Sequence, residues 1–269
     1  MVSSFCDSSH THLEVRCRPA VGGDPEFHEY SRFPDSWEHL YQGDISSLEV
    51  RVLDRRDIDV FTHVRCLRHD TCFCGWDDCH IDSLIVAVDG ACPFNGQAGA
   101  NRSACGIYFG PNNAFNMSFL VPDEYRRNRE GRRVRRAHTN QRAELRAVAE
   151  GLKAAQRFCQ RGWRHHPFRY RGNPCVVRHI VIKSDSAYIV DAIAGRNGQP
   201  GWISHWVNNN FHRANGEPVK NRYLWDWILS ETTELSSMGV TVEFWHVPRS
   251  HNREADALAN EALRGNAYR

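Results

Sequence analysis

The chain has 269 residues, of which 41% are hydrophobic, 25% charged and 11% aromatic, and its formal net charge is +2. That length suits one sizeable domain with an extension or two modest domains, and the composition excludes a disordered or fibrous chain. No apolar run approaches the roughly 20 residues of a bilayer span, near-neutral charge is by itself no argument for a polyanionic partner, and the opening MVSSFCDSSHTHLEVRC lacks the basic and apolar regions of a secretory signal.

Residues 1–80 read as an irregular N-terminal extension, with Pro, Gly and His scattered among short apolar pieces such as SLEVRVLDRRDIDVFTHV. An intracellular compartment, nucleus or cytoplasm, follows from the missing signal, so the ten cysteines are free thiols or metal ligands rather than a disulfide framework. Cys66, His69, Cys72, Cys74, Cys79 and His80 lie within fifteen residues. Either they hold one structural zinc tetrahedrally, although the spacing is not the paired CxxC form, or they are ordinary buried and free side chains.

Beyond residue 82 the pattern changes. SLIVAVDG, ACGIYFG and NMSFLV are short β-branched or apolar runs separated by turn residues, which predicts three strands in a meander. From Arg126 to Arg136, RRNREGRRVRR carries seven arginines against one acid, and RGWRHHPFRYR from Arg161 to Arg171 is a second basic stretch. Both read as loops. Between them TNQRAELRAVAEGLKAAQRF sets Leu145, Val148, Ala149, Leu152 and Ala155 at helical spacing, with Thr139 or Asn140 as N-cap. RHIVIKS predicts a buried strand ending at Asp185, and DSAYIVDAIAG a short helix closed by Gly195. NRYLWDWILSETTELSSM predicts a helix, GVTVEFWHV a strand, and NREADALANEALRG a terminal helix with Ala255, Leu258, Ala259, Ala262 and Leu263 on one side. This order implies an α/β fold with one sheet covered by helices.

Four acids stand where structure alone does not ask for them: Asp89 and Asp185 at the ends of apolar strands, Glu144 in the first turn of the main helix, and Asp256 in the last helix. Each has a plain local use in a turn, at a helix dipole, in a cap or facing water. Acids at strand ends of α/β sheets converge where ligands bind, and four clustered carboxylates need cationic counter-charge. Oxygen-only ligation suits Mg²⁺ or Mn²⁺, and two such ions about 4 Å apart clamp an in-line displacement at phosphorus.

VAVDGAC, TNQRAEL, IKSDSAYIVDAI, EPVKN and NREADALANEA, in that order, resemble the motifs of type 1 ribonuclease H, from about residue 83 to 265. The resemblance implies a ribonuclease H-like fold with a five-stranded mixed sheet flanked by helices, here a catalytic domain at 81–266 behind the 1–80 extension. It implies an endonuclease that hydrolyses the RNA strand of RNA–DNA hybrids and leaves 5′-phosphate and 3′-hydroxyl ends. Asp89, Glu144, Asp185 and Asp256 become the ligands of two Mg²⁺ ions, with Mn²⁺ as a substitute. Asn95, Asn140 and Gln141 match positions that contact the hybrid's minor groove, Thr139 and Asn221 a DNA-phosphate pocket, and Tyr188, Trp202 and Trp206 an aromatic channel along the DNA sugars.

The chain also departs from the family's pattern. A loop histidine that many members carry before the last helix has His251 as its nearest match and His246 as its second, in a loop about four residues shorter. VNNNFHRANGE holds one arginine where several relatives have a lysine-rich handle for the hybrid, so the segment 126–136 is expected to supply phosphate contacts instead. The expected partner is the hybrid, with no membrane and a monomeric state. The rival readings are a non-catalytic nucleic-acid-binding module on the same fold and another nuclease of the superfamily.

Overall fold

The computed structural model describes residues 31–33, 48–53, 60–65, 79–80, 82–97, 100–165, 169–170, 173–174 and 177–265. Four short strands come first: β1 (Ser31–Phe33), β2 (Glu49–Leu53), β3 (Val60–Arg65) and β4 (Cys79–His80). The meander follows as β5 (Ser83–Ala91), β6 (Ala104–Tyr108) and β7 (Met117–Leu120), then β8 (Tyr125–Arg127) and β9 (Arg133–Arg135). Next come α1 (Asn140–His165), β10 (Arg169–Tyr170), β11 (Asn173–Pro174), β12 (His179–Ser184), α2 (Ala187–Ala194), α3 (Trp202–Asn208), α4 (Arg222–Ser237) and β13 (Thr241–His246). A 3-10 turn (Arg249–His251) leads into α5 (Arg253–Leu263).

The expected five strands form one mixed sheet, in the order β13-β12-β5-β6-β7, and β1 adds a sixth at the β13 edge. β1, β13, β12 and β5 run parallel, while β5, β6 and β7 pair antiparallel. β5 reads as a nearly unbroken apolar run because both its faces are covered. Leu84, Val86 and Val88 turn to one side, into a core shared with Leu145, Val148, Leu152 and Ala155 of α1 and with Leu224, Trp225 and Ile228 of α4. All five residues that define the helical stripe of α1 are buried, and Ala255, Leu258, Ala259 and Ala262 of α5 are buried as their spacing predicts.

The opposite face carries what the sequence pattern did not suggest. β2, β3 and β4 form a small antiparallel sheet, and Leu48 and Val64 pack with Ile85, Val181, Trp245 and Val247 in a second core. Thr62 N donates to Phe109 O at 2.8 Å, and Asn113 Nδ2 donates to Val60 O at 2.9 Å. Lys183 forms an ion pair with Glu49 across this junction. Residues 48–53 and 60–65 are therefore joined to the main sheet through core, ladder-like and ionic contacts. Cys66, His69, Cys72 and Cys74, with the side chain of Cys79, lie outside the described residues, and the zinc reading with them.

Two segments read as loops are ordered elements. The stretch 126–136 is the β8–β9 hairpin, and α1 continues through Arg161 to His165 before the short β10–β11 pair. α3 likewise occupies a stretch for which the pattern specified no bounded element. Among the described residues no helix is long and apolar enough to cross a membrane.

Candidate active site

β5 and β12 run side by side with Lys183 opposite Ala87. Asp89 lies two residues further along β5 and Asp185 directly follows β12, so both stand toward the carboxyl ends of the parallel strands, where open α/β sheets bind ligands. α1 reaches the same end. Thr139 caps it, its Oγ1 accepting from Arg142 N at 3.1 Å, and the first turn lies directly on β5. A Cβ built on Gly90 would stand 2.1 Å from Glu144 N, so only glycine permits this approach. α5 is brought in by Asn252, fully buried, whose Nδ2 donates to Val88 O at 3.0 Å and lies 3.4 Å from Asp185 Oδ1. One turn later Asp256 N donates to Asn252 O, which sets Asp256 over the same strand ends.

The electrostatics follow from this crowding. Asp89 is only 6% exposed, and its carboxyl is pushed up to about 7, first by burial and then by the charges of Asp185 and Asp256. Glu144 is also raised, by burial first and then by Asp185, while hydrogen bonds from Ser186 and Asn140 act against the shift. Ser186 Oγ donates to Glu144 Oε2 at 2.8 Å and Asn140 Nδ2 to Oε1 at 2.5 Å. Arg249 pairs with Asp256 and offsets part of the charge at Asp89 and Glu144.

Carboxylates held together against their own repulsion, with oxygen donors only, fit Mg²⁺ or Mn²⁺. Among the described residues no three His, Cys, Asp or Glu side chains are arranged to hold an ion. Glu144 is turned toward Asn140 and Ser186, and Asp256 toward Arg249 and Asn260.

The other sequence-selected residues fall around this group. Asn95 Oδ1 accepts from Asn140 N at 2.9 Å, so the two residues are coupled at the mouth of α1. Asn221 caps α4 in the left-handed region with φ 58°, its Nδ2 lying 3.5 Å from Gln141 Oε1, which brings Thr139, Gln141 and Asn221 to one place. Tyr188 lies 6.0 Å from Trp202 and 6.5 Å from Trp206, centroid to centroid. Trp202 is 47% exposed but Trp206 only 6%. Trp206 therefore packs under the surface, edge-on at 5.4 Å to the buried Trp225, which the sequence reading left unassigned. His251 sits half-exposed beside Asn252 in the 3-10 turn, and His246 ends β13 opposite Ser184.

Residues 82–264 match the family model described as RNase H. The chain belongs to the RNase H family. It is an enzyme of that class, a hydrolase. It is 30% identical over 180 residues to Ribonuclease H of Clostridium botulinum, an alignment covering 67% of this chain and 95% of that one. It is 28% identical to Ribonuclease H1 of Mus musculus over 68% of this chain and 51% of the mouse protein. The solved structure of LC11-RNase H1 in complex with RNA/DNA hybrid covers 67% of this chain at 18% identity, with a TM-score of 0.35.

Asn252, Ser186 and Arg249 were not selected from the ribonuclease H motifs. Asn252 stands in NREADALANEA as a helix start, and only its burial separates it from an ordinary cap.

Proposed function

We propose that this ribonuclease H cuts the RNA strand of RNA–DNA hybrids as an endonuclease, with Asp89, Glu144, Asp185 and Asp256 as its metal-binding carboxylates. The observation that carries the reading is a buried Asp89 whose carboxyl is pushed up to about 7 by burial and by the charges of Asp185 and Asp256, with Glu144 raised by burial and by the same Asp185. Two bound Mg²⁺ ions, or Mn²⁺ in their place, would supply activation of the attacking water and stabilisation of the leaving oxygen.

The protein's own part is placement. Gly90 lets Glu144 approach Asp89, Asn252 holds α5 against β5, and Ser186 with Asn140 fixes the Glu144 carboxylate. Asn95, Asn140 and Gln141 read the minor groove, Thr139 and Asn221 hold a DNA phosphate, and Tyr188 and Trp202 face the DNA sugars, with Trp206 as their support. Water attack in line with the 3′ oxygen leaves a 5′-phosphate and a 3′-hydroxyl. His251, at the rim, assists proton transfer or product release. Residues 81–266 act as the catalytic domain, and the segment before them supports its sheet.

The test is cleavage of a labelled RNA–DNA hybrid beside RNA duplex and DNA duplex, with Mg²⁺, Mn²⁺ or chelator, by wild type and Asp89→Asn. Cutting of the hybrid's RNA alone, lost with chelator and in the variant, is the expected result. Hybrid binding without metal-dependent cutting would instead make the chain a binding module.

A further inference from the structure

We infer that the β8–β9 hairpin is a rigid phosphate-gripping arm that holds the nucleic-acid duplex beside the catalytic carboxylates; the identity of that duplex as an RNA–DNA hybrid rests on the function proposed above. The hairpin projects seven arginines and one acid within eleven residues. In its ladder Arg127 stands directly opposite Arg133. Like charges facing each other across strands destabilise a hairpin, and both side chains are exposed. Among the described residues no carboxylate pairs with Arg126, Arg127, Arg129 or Arg133. A fold that sets uncompensated cations face to face, in a short exposed hairpin, suits a polyanion that supplies the missing charge.

The arm is also built to keep its shape. Asn128 closes the turn, its Oδ1 accepting from Glu130 N at 3.1 Å and from Arg132 N at 2.9 Å. Gly131 takes the left-handed conformation at φ 75°. Arg133 lies over the Tyr125 ring at 4.0 Å, which holds its guanidinium in place without consuming its charge.

The base of the hairpin is clamped to the active-site helix. Arg142, 2% exposed, donates to Pro122 O at 3.1 Å ahead of β8, and to Arg136 O at 3.4 Å and Ala137 O at 3.3 Å behind β9. It also pairs with Glu124 at 3.1 Å. His138 adds a second link, bonding to Ser103 Oγ at 2.8 Å and Asp123 Oδ1 at 3.0 Å. Arg142 lies two residues from Gln141 and Glu144 or fewer, so the arm and the substrate-facing first turn of α1 move as one body.

Strands rise about 3.3 Å per residue. The free arginines at the tip therefore stand roughly 10–15 Å from the clamped base, within the width of one duplex. Arg135 is held at the base by Asp123 at 2.6 Å and by Asn101 O, which leaves Arg126, Arg127, Arg129 and Arg133 of the outer hairpin for the phosphates. The occupant we argue for is duplex, because the unpaired cations are fixed through Arg142 to the helix that carries Glu144.

The experiment is fluorescence anisotropy of the full chain with a labelled hybrid in EDTA, over a KCl series. Wild type is compared with Arg126, Arg127, Arg129 and Arg133 changed together to Gln, and with the same four changed to Lys. The expected result for the Gln variant is at least a tenfold loss of affinity near 0.1 M KCl and a slope of log K against log salt shallower by about 2 to 4. The Lys variant should keep the wild-type slope. An unchanged slope in the Gln variant would overturn the arm, and so would equal losses with Lys and Gln, because charge would not be the cause. Cleavage measured alongside separates the two claims. A wild type that cuts hybrid while the Gln variant keeps its slope refutes the arm alone; a wild type that binds through the arm and cuts nothing refutes the catalytic reading alone; no binding to hybrid or DNA duplex refutes both.

Discussion

Gly90 and Glu144 meet backbone to backbone: a Cβ on Gly90 would lie 2.1 Å from the amide nitrogen of Glu144 and 2.3 Å from Ala143 C. The contact is made by main chain on the helix side, so no rotamer change relieves it. Gly90→Ala must push α1 away from β5, separating Glu144 from Asp89. We expect about 1–3 kcal/mol of destabilisation from overpacking and a loss of activity of at least tenfold. Urea unfolding and hybrid cleavage check both; wild-type activity in a folded variant would contradict the placement argued for Glu144.

The raised carboxyl of Asp89 makes a prediction for the metal-free protein. Its pKa lies at about 7, above the ordinary 3.8. Between those values the folded state keeps a proton that the unfolded state has released. Stability from this group is therefore full below about 4, falls as pH rises towards 7, and stays low above it. Asp89→Asn should melt higher than wild type at pH 8 in EDTA, with the gap narrowing towards pH 4. Adding Mg²⁺ at pH 8 should raise the wild type more than the variant, since only a ligand-competent folded state gains from binding. Thermal melts at the two pH values decide it.

The legible and illegible parts of the chain differ for physical reasons. β5, α1, β12 and α5 were readable because their apolar residues follow a single period and end at turn or cap residues. β2 and β3 were not, since EVRVL sets charged residues among its apolar ones and VFTHVR buries Thr62 and His63 along with Phe61 and Val64, so that no contrast between an apolar and a polar face marks the strand. The β8–β9 hairpin was hidden because arginine at nearly every position erases the alternation that marks a strand. Asp89, Glu144, Asp185 and Asp256 could be named from strand ends and family motifs. Their mutual crowding, and the roles of Asn252, Ser186 and Arg142, depend on burial and on partners far away in sequence.

The aromatic group should divide by exposure. Trp202 is largely exposed, whereas Trp225 is fully buried beside Trp206. Trp202→Ala should leave the melting temperature within about 2 °C, as expected for a surface change, yet weaken hybrid binding several-fold. Trp225→Ala should cost about 3–5 kcal/mol as a core truncation. Equal destabilisation by the two substitutions would place Trp202 in the core rather than at the substrate.

His251→Ala should slow turnover without abolishing it, while Asp256→Asn should remove it. Steady-state cleavage of the hybrid tests this. A loss in the histidine variant as complete as in Asp256→Asn would make His251 indispensable rather than auxiliary.

Removing residues 1–81 should leave a poorly soluble protein. Leu48 and Val64 would no longer cover Ile85, Val181 and Trp245, and Phe61 would be lost from the main core. A contiguous apolar patch of this kind promotes association. Size-exclusion chromatography of the truncated and full chains at equal concentration reads the outcome. A monodisperse truncated protein with unchanged melting temperature would mean that the small sheet adds nothing.

The β1–β13 pairing sets Ser31 against Glu243, more than two hundred residues apart in the chain. During synthesis the first of these strands leaves the ribosome long before its partner is made. Until then the far edge of the sheet has no mate and the small N-terminal sheet has no β13 side chain to cover. Long-range pairing of this kind slows folding and leaves strand edges open to wrong partners meanwhile. β13 is thus the strand that joins β1 to the sheet, and a nascent chain stalled before it would hold β5, β6 and β7, the strands on which α5 packs, without yet having α5 and Asp256 to place on them.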